Sequence, residues 1–162
     1  MNTILQAQAN APSVRKVTAG QDQFGEYRGI GIGFVTFKAI SPDPNGLFIG
    51  EITLHQKGGP ARHLHHEQDE WFYAIEGEFI LEIGQERIKL NPGESILAPS
   101  EVPHVWAYVG DTTGRLLFTL NHAGKMEAFF REITKANAVA PQLPEMWRAY
   151  GMELVGPPLA IE

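Results

Sequence analysis

His63, His65, Glu70 and His104 are the residues whose types and spacing could do chemistry together. In an extended strand, residues two apart point the same way, so His63 and His65 would present two imidazoles on one face. After a short turn Glu70 opens a second extended run, Glu70–Ile75, and its carboxylate meets the imidazoles if the two strands pair. His104 opens a later run that would have to lie alongside. Three imidazoles and one carboxylate make an N3O donor set. That set suits one divalent Fe, Mn, Ni, Co, Cu or Zn ion. It suits Mg or Ca poorly, since those ions prefer all-oxygen shells.

Two other readings of this stretch stand beside the metal site. His63, His66, Glu67 and Glu70 also share one face of a helix. Gly58-Gly59-Pro60 before them and the strand-like Trp71–Ile75 after them oppose that reading. No His-Glu-x-x-His pair occurs, so a helical zinc-protease site is not supported. The stretch also reads as an exposed His/Glu-rich loop without a ligand.

Strands are needed to position these residues, and the chain is patterned for them. Seventeen glycines and eleven prolines punctuate short segments of period-two alternation, as in an all-β sandwich or barrel. The expected strands are Ile30–Ala39, Leu47–His55, Ala61–His65, Glu70–Glu76, Glu78–Ile83, Glu86–Leu90, Ser95–Ala98, His104–Val109 and Arg115–Asn121. Turn residues separate them, among them Asp43-Pro44-Asn45-Gly46 and Asn91-Pro92-Gly93. Short gaps favour antiparallel neighbours. Past Ala123 the composition changes. Met126, Phe129, Phe130 and Ile133 predict a helix over Lys125–Ala136, and a shorter helix is expected over Pro144–Tyr150. Gly156-Pro157-Pro158 is expected as a stiff, extended tail. The organisation is an arm over 1–22, a barrel over 23–123, and helices with a tail packed on the barrel over 124–162.

Bulk properties narrow the function. The 162 residues are enough for one domain with a real core. A net charge of −6 with no Lys/Arg cluster argues against nucleic-acid binding. Cysteine is absent, which removes disulfides and thiolate chemistry and fits a reducing compartment. No apolar run approaches the roughly 20 residues of a membrane helix. Ala7-Gln8-Ala9 is similar to a cleavage site but lacks the basic and apolar regions that should precede it. The expectation is a cytoplasmic protein that binds neither nucleic acid nor membrane.

The stretch from Gly58 to Gly77 resembles the first cupin motif, G-x5-H-x-H-x(3,4)-E-x6-G, with Gly58 one residue too near His63. Gly93, Pro99 and His104 resemble the second, G-x5-P-x-G-x2-H-x3-N. There Glu101 stands in place of the glycine and Tyr108 in place of the asparagine. Fifteen residues separate the two motifs, as in compact cupins. The resemblance implies a cupin jelly-roll β-barrel with a metal held inside by His63, His65, Glu70 and His104. Asp69–Glu78 and the segments Met126–Phe130 and Tyr150–Leu159 are similar to quercetin-dioxygenase-like cupins. That likeness implies a metal-dependent dioxygenase of a small aromatic or enol substrate, in which Glu70 is both ligand and proton acceptor. A non-catalytic ligand-binding or sensory cupin, and a metal-dependent isomerase or decarboxylase, are the alternatives. A homodimer is expected, because edge strands of such barrels are commonly covered by a partner.

Other residues are placed by parity. Phe72 shares parity with Glu70, and Trp106 and Tyr108 share it with His104, so these three are expected to wall an apolar substrate pocket. Core filling is the more common role for a tyrosine placed like Tyr108. Glu101 should alter only its loop, provided that a positive φ is not required there. His66 is expected to face outward, His55 to be exposed, His122 to be a loop residue near the barrel mouth, and Arg62 to be a surface charge. Gly29-Ile30-Gly31-Ile32-Gly33-Phe34 lacks the order of a phosphate loop and reads as a strand that allows close backbone approach.

Overall fold

The computed structural model describes residues 14–161. Ala7-Gln8-Ala9 and the rest of the expected arm up to residue 13 lie outside them. In chain order the strands are β1 Arg28–Gly29, β2 Gly33–Ile40, β3 Phe48–Leu54, β4 Ala61–His65, β5 Glu70–Glu76 and β6 Phe79–Ile83, then β7 Glu86–Leu90, β8 Ser95–Ala98, β9 His104–Tyr108 and β10 Gly114–Leu120. Helices α1 Met126–Ile133 and α2 Pro144–Ala149 follow, and β11 Met152–Pro158 ends the series. The strands form two antiparallel sheets, ordered β1-β2-β3-β10-β5-β8 and β11-β4-β9-β6-β7. Among the described residues no helix is long and apolar enough to cross a membrane.

Period-two patterning explains which face each strand buries. In β5, Glu70, Phe72 and Ala74 turn inward while Trp71, Tyr73 and Ile75 turn out. In β10, Gly114, Leu116, Phe118 and Leu120 turn inward. Helix α1 packs on the first sheet, where Phe48 of β3 stacks on Phe130 with ring centroids 5.4 Å apart and Phe118 of β10 lies 5.1 Å from the same ring. Such contacts add to the area the rings remove from water. Helix α1 buries Met126, Phe129 and Ile133, the spacing expected of one helix face, and α2 buries Trp147.

Three elements differ from expectation. Ile30–Ala39 is not one strand. Its glycines make a tight hairpin in which Ile30 N–H donates to Gly33 O at 2.9 Å and Gly31 has φ 80°, so β1 and β2 pair back to back in the chain. The Pro-containing tail, expected as an extended segment packed on the barrel, belongs to a sheet. It is β11, which pairs with β4 through Met152↔His65 and Leu154↔His63 before a register shift to Pro158↔Ala61. Proline lacks the N–H a ladder needs, and an edge strand with a shift tolerates it. Finally, Asp22 at the end of the expected arm is a buried anchor. Its carboxylate accepts the N–H of Phe24 and of Phe37, both at 2.8 Å, and pairs with Arg28. The Arg28 guanidinium lies over the Phe37 ring at 3.9 Å, which ties the entry of the barrel to its core.

Candidate metal centre

Strand pairing assembles the four candidate ligands. Register places His63 opposite His104 across β4 and β9. Glu70, at the start of β5 on the facing sheet, reaches across the barrel. One ligand atom from each of His63, His65, Glu70 and His104 lies within 4.8 Å of the others, and all four residues are buried. Neither the helical reading nor the exposed-loop reading survives, since His63 and His65 lie on a strand with both side chains turned inward.

Hydrogen bonds around the cage fix the histidine tautomers. His63 Nδ1 lies 2.7 Å from Ala61 O and His104 Nδ1 lies 3.2 Å from Val102 O. A carbonyl only accepts, so each Nδ1 carries the proton and each Nε2 keeps a free lone pair. His104 Nε2 then faces Glu70 Oε2 at 3.1 Å. Two acceptors at that distance need a proton or a metal cation between them. His65 adds a second sign. It is 2% exposed, Nε2 is 3.2 Å from Glu70 Oε2, and neither ring nitrogen has an aligned hydrogen-bond partner. A buried polar group left without a partner costs about 1–3 kcal/mol. A cation at the centre of the cage satisfies His65 and His104 together, so the residues fit a metal ion.

Electrostatics support a neutral His63 and a charged Glu70. Burial, then the neighbouring His104 and His65, pushes His63 well below the ordinary histidine range. Burial pushes Glu70 up, but contacts and charges from His104 and His65 more than offset this and hold it well below the usual carboxylate range. As metal ligands three imidazoles are neutral and a carboxylate is ionised, so the ligand set carries one negative charge.

Above the cage is a chamber of about 90 Å³. His63, His65 and Glu70 form its polar floor, and its walls are apolar: Ile30, Ile32, Ile52, Trp106, Met126, Phe129, Val139 and Trp147 among them. Trp106 is on the wall as expected. Phe72 is fully buried behind it, edge-on to His104 at 6.0 Å, where it braces the ligand. Tyr108 is placed away from the chamber, at the far end of β9. Its ring fills the space left by Gly77, Gly110 and Gly114, and its hydroxyl accepts the N–H of Thr112 at 3.1 Å. An asparagine could not fill that volume, which accounts for the departure from the motif. Trp147 lines the chamber, packs on His63 at 5.0 Å and donates from Nε1 to Pro141 O at 2.8 Å. Sequence reasoning did not single it out, because α2 is too short for periodicity to show where its one buried side chain points.

The remaining predicted positions fall outside the cage. His66 is exposed and its Nδ1 lies 3.0 Å from Glu101 Oε1. His55 and His122 are exposed, and Gln68 donates to the His122 carbonyl at 2.8 Å. Arg62 is half-buried in an ion pair with Glu82. Glu101 does more than change a loop. It has φ 63°, the conformation that favours glycine, and its N–H donates to His65 O at 2.7 Å. The strained position therefore holds the loop before His104 against the ligand strand.

No curated protein sequence matches the chain. Among solved structures it is similar to KdgF from Halomonas sp., with TM-score 0.57 and 18% identity, over 67% of this chain and 94% of that one. It is similar to an RmlC-like cupin from Shewanella frigidimarina, with TM-score 0.55 and 24% identity, over 68% and 93%. It is also similar to Pac13, a nucleoside dehydratase, with TM-score 0.55 and 12% identity, over 71% and 88%. These likenesses concern the fold. The family model for the cupin domain matches residues 50–120, the stretch from β3 to β10 that holds all four cage residues. With that match, the two facing sheets and the His-His-Glu-His cage between them, residues 50–120 form a cupin domain and the chain has the cupin fold.

Proposed function

We propose that this cupin is a metal-dependent dioxygenase of a small organic molecule that can present an enolate or a similar monoanion. The observation that carries the reading is a cage of one negative charge on the floor of an otherwise apolar chamber. A divalent transition ion, when bound, supplies Lewis acidity and open coordination positions for substrate and O2. With that ion the cage is left one positive charge in excess, and a buried charge calls for a partner. A monoanionic substrate supplies it. The apolar walls hold the rest of the molecule and exclude water.

Size sharpens the substrate class. The chamber is smaller than the roughly 150 Å³ cavity that accommodates benzene in an engineered protein. That favours a short-chain β-dicarbonyl over a flavonol. Glu70 is the only carboxylate among the lining residues. It is the carboxylate placed to take the proton released when the substrate enolises. The walls offer no array of hydroxyl-orienting groups, which weighs against isomerisation or decarboxylation of a sugar-like substrate.

The test is metal analysis of the purified protein followed by oxygen uptake with short β-diketones and with a flavonol. The expected result is one transition ion per chain and uptake with the small diketones. Full metal occupancy without uptake would favour the second reading, a non-catalytic small-ligand-binding module, which the apolar chamber also supports. Full turnover in a Glu70→Gln variant that keeps its metal would remove the proton-transfer role. A homodimer belongs to the same proposal, and a monomeric mass by light scattering would remove it.

A further inference from the structure

The walls of the chamber are not equally strong. Most wall residues stand on strands or helices whose backbone is hydrogen-bonded. The segment from Asn137 to Ala140, between α1 and α2, is different. Asn137 N–H donates back to Thr134 O at 3.3 Å, but among the described residues no hydrogen bond ties 138–140 to the barrel. Val139 lines the chamber and is nevertheless 47% exposed, so its side chain stands at the boundary between chamber and solvent. Wall segments of this kind, with few hydrogen bonds and little burial, open most readily.

The glycine hairpin between β1 and β2 is what receives this segment. A Cβ at Gly31 would lie 3.0 Å from Val139 N and 3.2 Å from Ala138 Cα. A Cβ at Gly29 would overlap the Asn137 side chain. Ile30 and Ile32, between and beside these glycines, face the chamber opposite Val139. The glycines thus let the backbone of 137–139 settle against the hairpin while the intervening isoleucines close the gap.

We propose that residues 137–140 are the door of the chamber, seated on Gly29 and Gly31, and that Val139 with Ile30 sets the width of the molecule admitted. This rests on the reading that the chamber takes a small ligand, although the door itself is tested without substrate. Opening it breaks no hydrogen bond between 138–140 and the barrel. Side chains larger than valine at 139 narrow the entrance, and smaller ones widen it.

Acrylamide quenching of tryptophan emission provides the test. Trp106 and Trp147 line the chamber at 5% and 2% exposure. A Trp71→Phe background removes the tryptophan on the outer face. In that background Gly31→Ala should raise the quenching constant by a factor of about five, the effect of about 1 kcal/mol on an opening equilibrium. Val139→Ala, which strains nothing, should raise it in the same direction. Gly93→Ala is the control. Gly93 has φ 88° and a Cβ there meets nothing within 4 Å, so it carries comparable strain away from the door. Unchanged quenching in the Val139→Ala variant would overturn the proposal, whether or not Gly31→Ala folds. Equal quenching in Gly93→Ala and Gly31→Ala would also overturn it, as general loosening. Metal content is measured on the same samples. A protein without metal whose quenching still responds at Val139 keeps the door and loses the metal-enzyme reading.

Discussion

Replacing Glu101 measures how strongly the ligand-bearing loop is held. Glu101 occupies the left-handed region at φ 63°. For a residue with a Cβ that conformation costs roughly 1–2 kcal/mol relative to glycine. Glycine in turn gives up about 0.4–1 kcal/mol through the greater freedom of the unfolded chain. The carboxylate contacts His66, but both side chains are about half exposed, and such a pair is worth about 0–1 kcal/mol. Comparing Glu101→Gly with Glu101→Ala cancels the lost pair, since neither variant has it. What is left is the conformational difference, about 1 kcal/mol in favour of glycine. For a chain of this length that corresponds to a melting temperature about 2–4 °C higher for Glu101→Gly than for Glu101→Ala. Thermal unfolding by circular dichroism at neutral pH is the assay. Both variants should retain metal, because the backbone N–H that bonds His65 O is still present. An alanine variant as stable as the glycine variant would show that the loop relaxes away from positive φ and that the strain argument is wrong.

Other outcomes follow from the same geometry. Alanine at His63, His65 or His104 should abolish stoichiometric metal, while His66→Ala should keep one ion per chain, as measured by elemental analysis. Removing metal with a chelator should lower the melting temperature, and restoring it at about 100 times its Kd should return about 2.7 kcal/mol of stability. Tyr108→Phe should destabilise by about 1 kcal/mol through the lost Thr112 contact and leave steady-state turnover unchanged. Asp22 predicts an acid dependence. Burial pushes its carboxyl up, but the N–H groups of Phe37 and Phe24 and the Arg28 guanidinium outweigh burial and hold it below its ordinary value. A depressed folded value means stability that is full above the unfolded pKa, near 4, and is lost as pH falls through the folded value. Asp22→Asn should therefore be less stable than the parent at pH 7, with the difference shrinking below about pH 4 in urea titrations.

Local spacing determined much of this protein. Period-two alternation located the strands from Leu47 to Asn121 to within a residue or two, because strands such as β4, β5 and β10 bury alternate residues. Two imidazoles at i and i+2, a carboxylate opening the next strand and a distant histidine in a second motif were enough to name the cage. Long-range packing decided the rest. Parity told that Tyr108 points inward but not which end of the barrel it fills; Gly77, Gly110 and Gly114, packed against its ring, decided that. The proline-rich tail became a strand because β4 had an open edge for it. The wall beside His63 came from Trp147 on a helix too short to advertise its buried face. A metal cage is written in residue types at short separations. The chamber above it exists only where distant segments meet, and a local pattern carries no record of such meetings.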